Sequence, residues 1–231
     1  FTINRHNVKD VERVLDMAAA EKIPRLCFYH LVYAGRGKNM MDQDASAAET
    51  RTAMDSIIGW VGKNQTTEVL MVDNHADAPY IYMKSLKKKP ERSEAVYKLL
   101  TLNGGNKSGI GIADVDFTGE VHADQFSWDY TLGNVKERPF ADIWSDVSEP
   151  RMAILKDRKP LLKGRCGSCK WLEICNGNLR VRAERYFEEF LAPDPACYLT
   201  DEEIGIEPAS AEATEAALWP VPVQEAVEAV A

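Results

Sequence analysis

Residues 166–175 read C-G-S-C-K-W-L-E-I-C, and one further cysteine, Cys197, follows a basic helical segment. Four of the five cysteines in the chain therefore fall within one short region, at the spacing C-x2-C-x5-C-x21-C. In a chain whose first residues do not read as a secretory signal, such clustering favours a metal site over a disulfide framework. The sequence thus predicts Cys166, Cys169, Cys175 and Cys197 as the ligands of one metal centre.

The spacing of these cysteines bears on which metal they bind. A C-x2-C turn places two thiolates on one side of a tight loop, and the later cysteines can complete the same centre. Four thiolates without a nearby histidine suit either a 4Fe–4S cluster or tetrahedral zinc. Zinc knuckles usually have two C-x2-C pairs, whereas this sequence has one pair and then a five-residue step. The spacing favours an iron–sulfur cluster, and a zinc-stabilised binding module without catalysis is the alternative.

The composition is ordinary for a globular protein that remains in water. The 231 residues are 45% hydrophobic and 28% charged, and no stretch approaches the roughly 18 apolar residues of a membrane span. The net charge is −8, and the last 31 residues contain eight acidic and no basic side chains. Because nucleic-acid binding needs a net basic face, none is expected. We expect a cytoplasmic protein with neither a nucleic-acid nor a membrane partner.

Residues 1–103 alternate between strand-like and helix-like patterns. The periodicity predicts strands at 1–4, 25–33 and 68–72, and helices at 8–21, 45–62, 80–88 and 91–101. This alternation favours parallel strands with helices outside them, as in part of a βα (TIM-like) barrel or of an open α/β sheet. In both folds, functional residues lie at the carboxyl ends of the strands.

The pattern changes near residue 103, where we place a domain boundary. Segments 110–115 and 120–126 flank a glycine-containing turn and predict a β-hairpin. Short helices are predicted at 139–146, 149–156 and 180–190. Residues 104–206 are therefore expected to form a small α+β domain. Residues 207–231 consist mainly of Ala, Glu, Val and Pro, and we expect a mobile acidic tail.

Two residues near the end of the predicted strand 25–33 are candidates for substrate contact. His30 could meet a carboxylate or a metal ion, or be a hydrogen-bonded core residue. Arg36 lies between two glycines; it could bind a carboxylate through two hydrogen bonds, or lie in a surface turn.

For His75, His122 and Cys27 the sequence favours a structural role or leaves the role open. His75 with Asp73 and Asp77 could form a metal or acid–base cluster, although a solvated loop is favoured. His122 is expected to face solvent or substrate. Cys27, outside the cysteine cluster, is expected to be a buried apolar residue.

The cysteine segment, the hairpin and the Gly133-Asn-Val…Ile143-Trp144 segment together resemble the SPASM/Twitch region of radical S-adenosylmethionine (radical SAM) enzymes. That region holds two auxiliary 4Fe–4S clusters. This sequence has Asn106, Asp124 and Leu179 where the resemblance places three cysteines of the first cluster. The ligands of the second cluster correspond to the four clustered cysteines. The resemblance therefore implies a single auxiliary 4Fe–4S cluster.

A more specific resemblance covers nearly all of residues 1–206. The segments that carry it are FYHLVYAGRG (28–37), GGNKSG (104–109), GEVHAD (119–124), LGNVKERPF (132–140) and CNGNLRVRA (175–183). They resemble the radical SAM enzymes of haem d1 biosynthesis. Related enzymes of the alternative haem pathway share the first and last segments, so a radical SAM porphyrin or haem decarboxylase of that pathway is the alternative. The haem d1 group removes two propionate side chains from didecarboxysirohaem, using a 5′-deoxyadenosyl radical.

The resemblance also implies groups that bind outside this chain. Radical SAM enzymes hold S-adenosylmethionine and a second 4Fe–4S cluster with a C-x3-C-x2-C motif, which does not occur in this sequence. We therefore expect the chain to be the last part of a barrel plus the auxiliary-cluster domain, and to be inactive alone. The full-length enzyme would take a tetrapyrrole substrate and an electron donor such as a flavodoxin or a ferredoxin. The auxiliary cluster would serve electron transfer or substrate placement.

Overall fold

A parallel pair of strands forms the centre of the N-terminal half. The computed structural model describes residues 1–64 and 66–206. Strand β1 (Arg25–Tyr29) pairs in parallel with β2 (Glu68–Val72), with Arg25 opposite Glu68. On the other side of β1, Phe1 and Ile3 bond to Tyr29: the Tyr29 N–H donates to the Phe1 carbonyl and the Ile3 N–H donates to the Tyr29 carbonyl, both at 2.8 Å. The predicted parallel pairing is confirmed, although β1 is shorter than the predicted strand 25–33.

Two helices cover this sheet. Helix α1 (Val11–Ala20) follows a short 3-10 turn, and α2 (Ala47–Val61) begins with a capping box formed by Ser46 and Glu49. Apolar residues from both helices pack on the sheet because the apolar periodicity of each helix gives it one water-avoiding face. This core contains Ile3, Val11, Leu15, Phe28, Ala45, Ala53 and Ile57. A nine-residue 3-10 segment, Gly35–Gln43, connects β1 to α2.

Two further helices complete the N-terminal half. Helix α3 (Asp77–Lys88) starts soon after β2, and α4 (Ser93–Asn103) follows a break at Pro90. Proline lacks the N–H that a continuous helix needs, so the predicted break is explained. Helix α4 is capped by Gly104, the residue after its last one, whose φ of 66° is a left-handed conformation that suits glycine.

The C-terminal half has little regular structure. The predicted hairpin is present but small, with antiparallel strands β3 (Asp114–Val115) and β4 (Val121–His122). Six short helices follow: α5 (Phe140–Ser145), α6 (Pro150–Lys156), α7 (Gly164–Gly167), α8 (Leu172–Cys175), α9 (Arg180–Phe187) and α10 (Asp201–Ile204). The predicted helices at 139–146, 149–156 and 180–190 correspond to α5, α6 and α9.

One hydrophobic cluster joins the two halves of the chain. Met54 of α2 and Tyr80 of α3 pack with residues from the cysteine region, which are Trp171, Ile174, Tyr198, Leu199 and Ile204. Arg51 of α2 adds an ion pair to Glu203 of α10, with N–O distances of 2.7 and 2.8 Å. The cysteine region is therefore held against the helices of the N-terminal half.

Three predictions about organisation remain predictions: the partial βα barrel, the separate small iron–sulfur domain and the boundary near residue 103. The predicted tail at 207–231 lies outside the described residues. Within the described part of the chain, no helix combines the length and the hydropathy needed to cross a bilayer.

Candidate metal centre

All four clustered cysteines line a single cavity. Cys166 lies in α7, Cys169 in the turn after it, and Cys175 is the last residue of α8. Cys197 reaches the cavity from a turn closed by a hydrogen bond from its N–H to the carbonyl of Asp194 (3.1 Å). Other residues that complete the wall include Ala76, Pro79, Trp171, Leu199 and Ile204. The fold thus brings together four thiols from three separate turns.

Burial makes these thiols difficult to ionise by themselves. It raises the pKa of Cys197 to about 12. Burial also raises the pKa of Cys175 well above its usual value, and the thiols of Cys197 and Cys166 raise it further. The pKa of Cys169 is raised too, chiefly by burial. Because metals bind thiolates, a cation in this cavity would supply the positive charge that the buried set needs.

A backbone N–H group donates to a sulfur atom of the cavity: the N–H of Trp171 donates to Cys169 Sγ at 3.4 Å. The backbone N–H of Leu199 lowers the pKa of the Cys197 thiol. Hydrogen bonds to ligating sulfurs stabilise thiolates and tune the potential of an iron–sulfur cluster. The cavity therefore has polar groups placed to support bound thiolates, although most of its wall is apolar.

The separation of the sulfur atoms is relevant to the choice of metal. In tetrahedral zinc sites the Zn–S bond is about 2.3 Å, which places the sulfurs about 3.8 Å apart. Among the cysteines, all of which are in the described residues, no three have Sγ atoms within 4.8 Å of one another. In a 4Fe–4S cluster each thiolate binds a different iron, so the sulfurs are farther apart than around one ion. As placed, the four sulfurs do not surround a single zinc ion, and four thiols in one cavity are compatible with a 4Fe–4S cluster.

The segment Gly104-Gly105-Asn106 packs closely against the backbone of Cys175. The N–H of Asn106 donates to the Cys175 carbonyl (3.2 Å), and Asn176 Nδ2 donates to the Asn106 carbonyl (2.6 Å). Gly105 has a φ of 70°, and a Cβ there would lie 2.5 Å from the carbonyl oxygen of Ile174. Only glycine fits at this contact, so the segment fixes the end of α8.

A buried ion pair holds the turn that carries Cys197. Arg182 Nε and Nη2 each donate to the Asp194 carboxylate at 2.9 Å, and both side chains are 0% exposed. Arg182 Nη1 also donates to the carbonyls of Asp73 (2.7 Å) and Leu31 (3.2 Å). Arg182 therefore connects the Cys197 turn to the segments that follow β1 and β2.

Asn106, Asp124 and Leu179 stand where the resemblance places the cysteines of a first cluster. The side chains of Asn106 and Asp124 accept hydrogen bonds. The Ser108 hydroxyl donates to Asp124 Oδ2, and the Ser108 N–H donates to Asn106 Oδ1 at 2.9 Å. Arg158, which is 1% exposed, donates from Nη1 to Asn106 Oδ1 at 2.8 Å. Leu179 is buried. The single ligand set remains a prediction.

The two candidate substrate contacts lie in different environments. His30 is 6% exposed, and its Nε2 lies 3.0 Å from Asp77 Oδ2. The hydroxyl of Tyr198 donates to the other oxygen of Asp77 at 2.8 Å. Arg36 is exposed in the segment Gly35–Gln43, and no hydrogen-bond partner of its side chain is found among the described residues. The geometry leaves Arg36 available to a ligand and commits His30 to a buried network.

The possible cluster of His75, Asp73 and Asp77 is not assembled as one site. Asp77 pairs with His30. His75 is half-buried, and burial lowers its pKa to about 4, with Arg182 acting in the same direction. Burial raises the pKa of Asp73. The favoured alternative, a solvated loop, also differs from the structure because both side chains are partly shielded from water.

Two other predictions need correction. His122 does not face solvent: it is 1% exposed and stacks on Trp128, with ring centroids 5.7 Å apart. It is buried because β4 turns this side chain inward beneath the indole. Cys27, expected to be buried, is half-buried in β1, opposite Leu70 of β2.

Several structurally important residues carried no recognisable sequence signal. Arg158 and Tyr198 are buried and bond to residues far away in the chain, whereas the buried Asp194 bonds to Arg182, 12 residues before it. Only the position of Asp194, three residues before Cys197, offered a hint of its role.

The cavity and its four thiols define a candidate cysteine-ligated metal protein, and comparison with known proteins adds a biosynthetic context. No family model matches the chain. The chain is 56% identical over 212 residues to the Fe-coproporphyrin III synthase of Methanosarcina barkeri, covering 89% of this chain and 53% of that enzyme. It is therefore related in sequence to an enzyme of haem-precursor synthesis.

Two further relatives belong to haem synthesis by name. The pre-heme d1 synthase of Dinoroseobacter shibae is 38% identical over 211 residues, covering 89% of this chain and 52% of that enzyme. The AdoMet-dependent heme synthase of Methanosarcina barkeri is 25% identical over 202 residues, covering 85% and 54%. The chain spans about half the length of the curated relatives it matches. By their names, the three relatives are enzymes that make or modify haem and porphyrins.

Proposed function

We propose that this chain is part of a radical SAM enzyme that modifies the side chains of an iron tetrapyrrole and forms Fe-coproporphyrin III. The observation that carries this proposal is the 56% identity to a Fe-coproporphyrin III synthase, against 38% to a pre-heme d1 synthase. The difference favours an enzyme of the alternative haem pathway over the haem d1 reaction that the sequence motifs first suggested. Removal of propionates from didecarboxysirohaem is the second candidate reaction.

Cys166, Cys169, Cys175 and Cys197 would hold one auxiliary 4Fe–4S cluster. Support comes from the common cavity, from the fact that no three of the sulfurs lie within 4.8 Å of one another, and from the Trp171 N–H that donates to Cys169. When bound, such a cluster supplies one-electron transfer. Because the protein offers a thiolate for each of the four irons, we assign it electron transfer rather than direct binding of the substrate. A reduced flavodoxin or ferredoxin would be the donor.

Within this chain, we assign a substrate-binding role to Arg36. Its exposed guanidinium lies shortly after the end of β1, and guanidinium groups bind carboxylates through paired hydrogen bonds. A tetrapyrrole with acidic side chains would present such carboxylates. His30 acts through Asp77 and Tyr198 as a positioning residue, because its ring is buried and its Nε2 is already paired.

The cluster is tested by anaerobic reconstitution of the chain with iron and sulfide. We expect about four irons per chain, one 4Fe–4S cluster, and a broad visible absorption band that dithionite bleaches. Cys197→Ser should lose most of the bound iron, whereas Cys27→Ser, a cysteine outside the cavity, should retain it. A colourless wild-type protein that binds one zinc would contradict the proposal and support the binding module.

The reaction is tested with the full-length gene product, incubated anaerobically with didecarboxysirohaem, S-adenosylmethionine and a reductant. Mass spectrometry against authentic standards should identify Fe-coproporphyrin III. Formation of pre-haem d1 instead would support the second candidate. If the protein releases 5′-deoxyadenosine but leaves didecarboxysirohaem unchanged, both reactions are excluded. The chain described here should release no 5′-deoxyadenosine alone, because it has no C-x3-C-x2-C motif.

A further inference from the structure

The small hairpin carries a second cluster of potential metal ligands, far in sequence from the four cysteines. Asp116 lies in the turn after β3, Glu120 precedes β4, and His122 ends β4. One ligand atom from each of these side chains lies within 4.8 Å of the others. This ligand set has no role in the function proposed above.

The histidine of this set has an unused nitrogen that is aimed at the carboxylates. His122 is 1% exposed, and its Nε2 has no hydrogen-bond partner within residues 1–64 and 66–206. Its other nitrogen, Nδ1, lies 2.9 Å from the carbonyl of Tyr130. A carbonyl accepts but does not donate, so Nδ1 carries the proton and Nε2 has a free lone pair in the neutral ring. Metal-binding histidines typically have their second nitrogen fixed in this way.

The distance between His122 and Asp116 distinguishes a shared ion from a hydrogen bond. His122 Nε2 lies 3.7 Å from Asp116 Oδ2, which exceeds the 2.7–3.2 Å range of N–H···O bonds. Two ligand atoms that each lie about 2.1 Å from one cation are roughly 3.0–4.2 Å apart, depending on the bond angle. The observed separation falls inside that range.

The turn also fixes the second ligand. Asp116 Oδ1 accepts hydrogen bonds from the Thr118 N–H (2.8 Å), the Thr118 hydroxyl (2.7 Å) and the Glu120 N–H (2.9 Å). These bonds use only one oxygen, so Oδ2 remains directed towards His122. Trp128 covers the other side of the imidazole by stacking on it. The site is therefore built by the hairpin before any cation binds.

We propose that Asp116, Glu120 and His122 bind one divalent transition-metal ion, with zinc as the best-fitting candidate. One imidazole and two carboxylates are common ligands of such ions, whereas calcium and magnesium prefer oxygen ligands alone. The ion would offset the mutual repulsion of the two carboxylates and join the two strands of the hairpin. Three protein ligands leave at least one position for water or for a carboxylate of a bound molecule.

The test uses protein whose cysteine site has first been filled by anaerobic reconstitution, so that added zinc cannot bind the thiols. Calorimetric titration should show one additional zinc ion per chain. Zinc X-ray absorption should show nitrogen and oxygen neighbours, imidazole scattering and no sulfur. This result does not depend on the proposed reaction, because a failure of turnover leaves zinc binding at the hairpin unchanged.

Matched variants locate the site. Glu120→Gln and Asp116→Asn should each weaken zinc binding by at least about tenfold, since each removes a charged ligand and keeps the side-chain shape. Glu137→Gln removes an exposed glutamate of the same region and should leave the affinity unchanged. The proposal fails if filled wild-type protein binds no further zinc, if the zinc has sulfur neighbours, or if both ligand variants bind as tightly as wild type.

Discussion

At the scale of single residues, Gly105 packs against the backbone of the helix that ends in Cys175. We predict that Gly105→Ala lowers the iron bound on reconstitution severalfold, because its Cβ would overlap the carbonyls of Ile174 and Cys175. The measurement is iron and sulfide content per chain.

The chain offers a matched control for this variant. Gly35 also has a positive φ, of 54°, but a Cβ there would meet no atom of the described residues within 4 Å. Gly35→Ala should therefore cost about 1–2 kcal/mol of backbone strain and leave the iron content unchanged. Equal loss of iron in both variants would mean that strain, rather than the contact with Cys175, causes the effect.

The lowered pKa of His75 makes the free energy of unfolding depend on pH. Its pKa is about 4 in the fold and about 6.5 in an unfolded chain. Above about pH 6.5 both states are neutral and His75 has no effect. As pH falls from about 6.5 to about 4, the unfolded state binds a proton that the folded state does not, so the free energy of unfolding decreases.

We therefore predict that His75→Gln reduces the loss of stability between pH 7 and pH 5, measured by urea unfolding at both values. His6 is exposed, and His6→Gln should behave like wild type. If His75→Gln loses as much stability as wild type over this interval, the imidazole is not shielded from protons in solution.

At the scale of elements, α9 carries two arginines, Arg182 and Arg185, that each form an ion pair with an aspartate, and the two ion pairs differ greatly in exposure. Arg182 and Asp194 are both 0% exposed, whereas Arg185 and Asp129 are 33% and 71% exposed. Arg182→Met should lower the free energy of unfolding by about 3–5 kcal/mol, because Asp194 would be left buried without its partner. Arg185→Met should cost no more than about 1 kcal/mol. Urea unfolding of the two variants tests this, and similar losses would contradict it.

Element boundaries were predictable where one local pattern dominated. The predicted strand 68–72 coincides with β2, and the gap between the predicted helices 80–88 and 91–101 corresponds to the break between α3 and α4. The predicted strand 25–33 was too long, because the chain leaves the sheet after His30 and turns into Gly35–Gln43. Apolar residues beyond Tyr29 pack elsewhere, and periodicity cannot distinguish that packing from a longer strand.

At the scale of the whole molecule, a shared hydrophobic cluster joins the N-terminal helices to the cysteine region. Met54 is 1% exposed and packs with Trp171 and Tyr198. Met54→Ala should cost about 2–5 kcal/mol and should speed hydrogen exchange in residues 164–204 as well as in α2. Leu99→Ala, at a 66% exposed position of α4, should change neither. Exchange that rises in α2 alone would show that the two sides of residue 103 unfold independently.

The candidate metal centre was the part of the molecule that sequence could predict best. Cysteine spacing reflects local chain geometry, so the four residues that line the cavity were identified without a structure. The supporting contacts were not predictable, because Arg182 bonds to Leu31, 151 residues away, and His30 bonds to Asp77, 47 residues away. The burial of His122 likewise depends on Trp128 and Tyr130, which no periodicity links to it.

The connection from Cys197 through Asp194 and Arg182 to the segments after β1 and β2 also bears on how long the protein survives in a cell. If the cluster proposed above were lost, Cys197 would lose its bond to the metal, and the Arg182–Asp194 pair alone would hold this turn to the two strand ends. We would then expect the form without a cluster to be cleaved by proteases faster than the form with one.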